Sequence, residues 1–181
     1  MGLTLSFINE EHVKQYSHVP PPASLDELKA IMEIPTFQDD PHVRGGVILD
    51  PRWLKANLSV EWFPIIGQRY VNRLLVVPLH AALSEIASGP YFDYIKPKQC
   101  GIFAPRRIYW KPGNPLSTHA LAMAIDINWE ENPPGTKKTS IRKQPYIIET
   151  FKKYGFDWGG DWKKADDQHF QYMKSLIRLP S

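Results

Sequence analysis

Proline punctuates this chain so densely that long uninterrupted helices and regular repeats are excluded. Seventeen of 181 residues are Pro. Proline removes a backbone donor and clashes with the preceding turn, so it sits at element starts, in turns and at breaks. The run Pro20–Pro21–Pro22 separates a short N-terminal segment from SLDELKAIMEI. There Ser24 and Glu27 have the spacing of a capping box, which predicts a helix start. Pro133–Pro134–Gly135 marks a loop. Tyr70 to Ser88 carries Leu75, Leu79, Leu83 and Ile86 at helical spacing. Pro78 falls early in that helix or kinks it, and Gly89–Pro90 ends it. A second helix is predicted from Pro145 to Tyr154, with Pro145 in its first turn and Gly155 beyond its end.

Between these elements lie short apolar runs that read as strands: 46–50 (GVILD), 57–66 (NLSVEWFPII), 100–104 (CGIFA), 123–128 (MAIDIN) and 169–173. Helices and strands do not alternate as in parallel βαβ units. The expected class is therefore α+β, with a small antiparallel sheet flanked by helices. A chain of 181 residues suits a single domain. Residues 1–44 read as a helix-and-loop extension and 45–181 as the domain proper.

Composition closes several routes. No apolar run reaches the roughly 18 residues of a membrane-spanning helix. The opening MGLTLSFINEEHVKQ has no basic n-region and is broken by Asn9, Glu10 and Glu11, so no secretory signal is expected. The net charge of +3 is small and its basic residues are scattered, which predicts no nucleic-acid partner. The one cysteine, Cys100, permits neither a disulfide framework nor a cysteine-rich zinc site. Any metal must be held by histidine and carboxylate.

Three segments supply such groups: Leu116–Ser117–Thr118–His119, Ala124–Ile125–Asp126–Ile127, and Asp166–Asp167–Gln168–His169–Phe170. Asp126 is flanked by isoleucines, and a carboxylate drawn into apolar surroundings needs a cation or donors. Two imidazoles and one carboxylate form a known catalytic zinc set, with a fourth position left for water. Zinc lowers the pKa of such a water to about 7. Asp166, three residues before His169, stands where it can take the water's proton. A structural histidine and a turn-capping aspartate are the competing reading of the same residues. A non-haem iron triad is a poorer fit, because His119 and Asp126 are seven residues apart.

The pattern S-x-H-x(6)-D followed by D-x-x-H resembles the D-alanyl-D-alanine carboxypeptidase-like metallopeptidases. These include VanY-type carboxypeptidases and phage L-alanyl-D-glutamate endopeptidases. Ser117, His119, Ala124, Asp126, Asp166 and His169 carry the motif, and Ala122 stands where the family usually has Gly. Gly101–Ile102–Phe103–Ala104–Pro105–Arg106 resembles the family segment that bears an active-site arginine. Pro51–Arg52–Trp53–Leu54, Asn132–Pro133–Pro134–Gly135 and Gly159–Gly160–Asp161–Trp162 extend the likeness over about 45–175.

The resemblance implies a zinc site in a cleft, with His119, Asp126 and His169 as ligands. It implies Asp166 as general base and then acid, with Asp167 as the alternative. Arg106, or else Arg107, would stabilise the oxyanion. Ser117 would bind substrate or cap a turn, and Trp158 and Trp162 would wall the cleft or pack in the core. The implied activity is hydrolysis of a peptide bond in the peptidoglycan stem, by carboxypeptidase or endopeptidase action. Stem peptides are the implied partner; the bond cut and the oligomeric state are not implied. Action at the wall without a visible signal would require release by lysis, a phage particle or a specialised secretion system. The other class of reading is a catalytically silent wall-binding or structural protein that keeps the fold.

Overall fold

The computed structural model describes residues 19–136, 138–174, 177 and 179–181. Residues 1–18 of the predicted N-terminal extension lie outside that range. The fold is α+β, with four α-helices and three antiparallel sheets among the described residues.

Helix α1 (Leu25–Ile31) starts where the sequence placed it. The Ser24 hydroxyl accepts from Glu27 N, and the Glu27 carboxylate accepts from Ala23 N. Leu28 and Met32 drop into the core. Strand β1 (Phe37–Asp39), which lies in the stretch read as helix and loop, then pairs with β2 (Val47–Leu49), where the sequence predicts a strand. Helix α2 (Pro51–Asn57) follows, capped by Asp50 with Pro51 at its first position. Strands β3 (Leu58–Phe63) and β4 (Gly67–Asn72) form a hairpin.

The long helix α3 is Arg73–Ser88, not Tyr70–Ser88. Tyr70 and Val71 instead pair with Val60 and Ser59 in the hairpin. Asn72 sets the boundary, because its side chain accepts from Leu74 N and caps the helix. Pro78 lies inside the helix and its neighbours Leu75, Leu79, Leu83 and Ile86 are fully buried.

A four-stranded sheet carries the functional centre, in the order β5 (Cys100–Gly101), β6 (Ala124–Ile127), β8 (His169–Gln171), β7 (Asp157–Trp158). Strands β5 and β8 are shorter than the runs 100–104 and 169–173 predicted. Helix α4 (Pro145–Lys153) closes one face. Phe170 stacks on Phe151 of that helix at 4.5 Å between ring centres. Strand side chains alternate between faces. With Phe170 in the core, His169 and Gln171 lie together on the other face.

Candidate metal centre

Sheet register brings the predicted ligands together. Asp126 on β6 is the direct cross-strand partner of His169 on β8. His119 comes from a 3-10 turn, Thr118–Leu121, that leads into β6. Ser117 caps this turn, its Oγ accepting from His119 N at 3.3 Å. The turn closes through Ala122 in the left-handed region, at φ 52° and ψ 36°. A glycine takes that conformation without the Cβ crowding an alanine meets. Asn72 anchors the turn, with Nδ2 donating to Leu121 O at 3.0 Å and N to Ala122 O at 3.2 Å.

His119 Nε2, Asp126 Oδ1 and His169 Nδ1 lie 3.1 Å from one another in every pairing. Tetrahedral zinc with bonds of about 2.0–2.1 Å needs ligand atoms about 3.3 Å apart, so this triangle has the right size. His119 Nδ1 lies 2.8 Å from Ile102 O. A carbonyl only accepts, so the proton sits on Nδ1 and the Nε2 lone pair faces inward. His119 and His169 are buried, and the Asp126 side chain is 13% exposed. Burial alone would raise the Asp126 pKa, but the two imidazoles outweigh it and hold the carboxyl well below its ordinary range. Burial likewise disfavours the charged form of His169, and Asp126 and Asp166 overcome it, so its pKa is raised. These three atoms could hold one cation against a carboxylate that stays ionised.

A cleft of about 810 Å3 is lined by His119 and His169 together with Arg106, Ser117, Trp162, Asp166 and Gln168. Asp166 Oδ1 is buried without a hydrogen-bond partner. Burial raises the Asp166 pKa first of all, with Asp126 adding to the rise while His169, His119 and Arg106 oppose it. A backbone approach fixes the loop: Asp166 N donates to Gly159 O at 2.9 Å, and a Cβ on Gly159 would lie 2.4 Å from Asp166 O. Asp167 points elsewhere. It is fully buried, gripped by Arg142 through two contacts of 2.6 Å and by Thr139 Oγ1. That engagement occupies both carboxylate oxygens of Asp167.

Arg106 reaches the cleft and packs on Trp110 at 5.6 Å. Its pKa is lowered, chiefly by burial, against the pull of Asp126 and Asp166. Trp162 stands 5.4 Å from the His169 ring and walls the cleft, whereas Trp158 is a core residue stacked on Phe170. Tyr109 and Trp110 also line the cleft and are exposed, with φ of 57° and 54°, and Lys164 Nζ lies 4.2 Å from the Tyr109 ring centre. Sequence reasoning missed three neighbours: Asn72, Gln168, whose Nε2 donates to Asp126 Oδ2 at 3.1 Å, and Gln171, whose Oε1 lies 3.2 Å from His169 Nε2. The amides carry no charge or motif that marks them in a sequence.

Two converging histidines and a carboxylate beside an unpartnered aspartate define a candidate metal-dependent hydrolase centre. Residues 111–172 match the model of the D-alanyl-D-alanine carboxypeptidase family, which supports the family resemblance over that segment. The segment contains His119, Asp126, Asp166 and His169; Arg106 precedes it. No curated protein and no solved structure matches the chain. No helix among the described residues is long and apolar enough to cross a membrane.

Proposed function

We propose that the chain is a zinc-dependent peptidase that hydrolyses a peptide bond of the peptidoglycan stem. The observation that carries this is the equilateral 3.1 Å triangle of His119 Nε2, Asp126 Oδ1 and His169 Nδ1, whose two histidines line a cleft. Zinc fits that donor set, and when bound it supplies Lewis acidity for the scissile carbonyl and for a water. Asp166 takes the proton from the attacking water and returns it to the leaving amine. Its buried, unpartnered Oδ1 leaves an acceptor free for that work. Arg106 donates hydrogen bonds to the oxyanion as the carbonyl becomes tetrahedral. Trp162 shields the His169 side of the cleft from bulk water. Ser117 acts through the turn that it caps, which sets His119.

The family match favours a bond next to a D-amino acid, and the place of action is the cell wall. Mass spectrometry of purified peptidoglycan incubated with the zinc-loaded protein tests the reading. New peptide termini identify the bond. A digest without new termini, from protein that holds zinc, would refute peptidase action on the wall.

A further inference from the structure

We propose that Gln171 and Gln168 are positioning residues that fix which atoms of His169 and Asp126 face the metal. The proposal rests on the metal reading above and concerns how that site is kept selective for one binding mode. Gln171 follows His169 by two residues on β8, so strand alternation puts both side chains on one face. Its amide is buried, so both ends need partners. Nε2 donates to Met173 O at 3.0 Å, which turns Oε1 toward His169 Nε2 at 3.2 Å. An amide oxygen carries no proton, so the bond requires hydrogen on His169 Nε2. In the neutral imidazole that a metal requires, Nδ1 is then the bare lone pair, aimed at the point that His119 Nε2 and Asp126 Oδ1 share. Thr118 Oγ1 also lies 3.3 Å from Nε2, but a hydroxyl can donate or accept and imposes neither tautomer.

Gln168 does the matching work on the carboxylate. Its Nε2 donates to Asp126 Oδ2 at 3.1 Å, leaving Oδ1 alone in the triangle. The carboxylate therefore presents one oxygen, and the coordination position that a second oxygen would fill stays open for water or substrate. Without Gln171, His169 can place its proton on Nδ1 and donate to Asp126 Oδ1. That bond occupies both ligand atoms and competes with metal.

The test measures zinc affinity by competition with a chromophoric chelator, for the full chain and for Gln171→Met, Gln171→Glu and Gln168→Met. Loss of an outer partner of a ligand typically weakens metal binding about 10–100-fold, and Gln171→Met should fall in that range. Gln171→Glu keeps an acceptor for Nε2 and loses the donor to Met173 O. It should retain affinity close to wild type even if it melts earlier, a split that a merely structural role would not give. Gln168→Met should alter the visible absorption of the cobalt-substituted protein toward higher coordination, as Asp126 gains its second oxygen. Nitrogen-15 spectra of the zinc-loaded wild type need no variant, and should show His169 protonated at Nε2 and ligated through Nδ1. Coordination through Nε2, or equal affinity losses in Gln171→Met and Gln171→Glu, would overturn the proposal. Wild type that takes up no zinc removes the metal reading along with it. Wild type that binds zinc while all variants match it removes the proposal alone.

Discussion

Arg106 and Arg107 are chain neighbours with different surroundings. Arg107 is buried, donating to Asp39 Oδ1 at 2.7 Å and Asn114 O at 2.8 Å, while Arg106 lines the cleft. Arg106→Ala should therefore keep zinc and melting temperature and lose about 10²–10³ in turnover. Arg107→Ala should cost about 0.5–1.5 kcal/mol of stability for each hydrogen bond lost, since the partner Asp39 is exposed and stays solvated. Steady-state kinetics and urea denaturation of both variants check this, and an exchange of the two phenotypes would contradict it.

The two adjacent aspartates divide in the same manner. Asp166→Asn should remove about 10²–10⁴ of the rate, since proton transfer is worth that much. The raised Asp166 pKa gives the sign of its stability effect. A carboxyl raised above its unfolded value weakens the fold at pH above its folded pKa, and protonation relieves this as pH falls through it. In metal-free protein, Asp166→Asn should thus melt higher than wild type at neutral pH and equally at pH below the unfolded value. Asp167→Asn should instead lose about 3–5 kcal/mol, because Arg142 is left without its bidentate partner.

Elemental analysis should find about one zinc per chain. Binding to the native state alone should add about 2.7 kcal/mol at free zinc one hundred times the dissociation constant. Thermal melts with and without chelator read that difference. A melting temperature indifferent to zinc in protein that retains it would argue against the buried triangle as the site.

Ala122 carries a cost that its glycine counterpart would not. Its φ of 52° belongs to the left-handed region, which costs an L-residue about 1–2 kcal/mol. Replacement by Gly relieves this but frees the unfolded chain by about 0.4–1 kcal/mol. Ala122→Gly should therefore be neutral or slightly stabilising by urea denaturation. Ala122→Val, with branching at a fully buried left-handed position, should destabilise clearly.

Legibility in the sequence followed the range of the interactions involved. The Ser24 cap, the Pro145 start and the ligand motif around His119 are local signals, and each stands where local chemistry placed it. Phe37–Asp39 is a short, half-polar run that becomes a strand through its register with Val47–Leu49. Tyr70 and Val71 continue the apolar pattern of the following helix, and only the hairpin partner separates them from it. Helix Pro51–Asn57 did have a readable start, an aspartate cap followed by proline. The convergence of Asp166 with the triangle, and the retirement of Asp167 into a pair with Arg142, depend on contacts across the fold. The sequence favoured Asp166 through its spacing from His169 and kept Asp167 as the weaker alternative, without the contacts that separate them.

The cross-strand pairing of Asp126 with His169 joins segments separated by an exposed turn at Pro133, Pro134 and Gly135. A chain opened at that turn would yield one fragment bearing His119 and Asp126 and another bearing His169. Neither fragment alone owns a complete ligand set. Their reassociation would be driven jointly by sheet pairing and by the ion, so a split form of this protein would report zinc through the recovery of its own integrity.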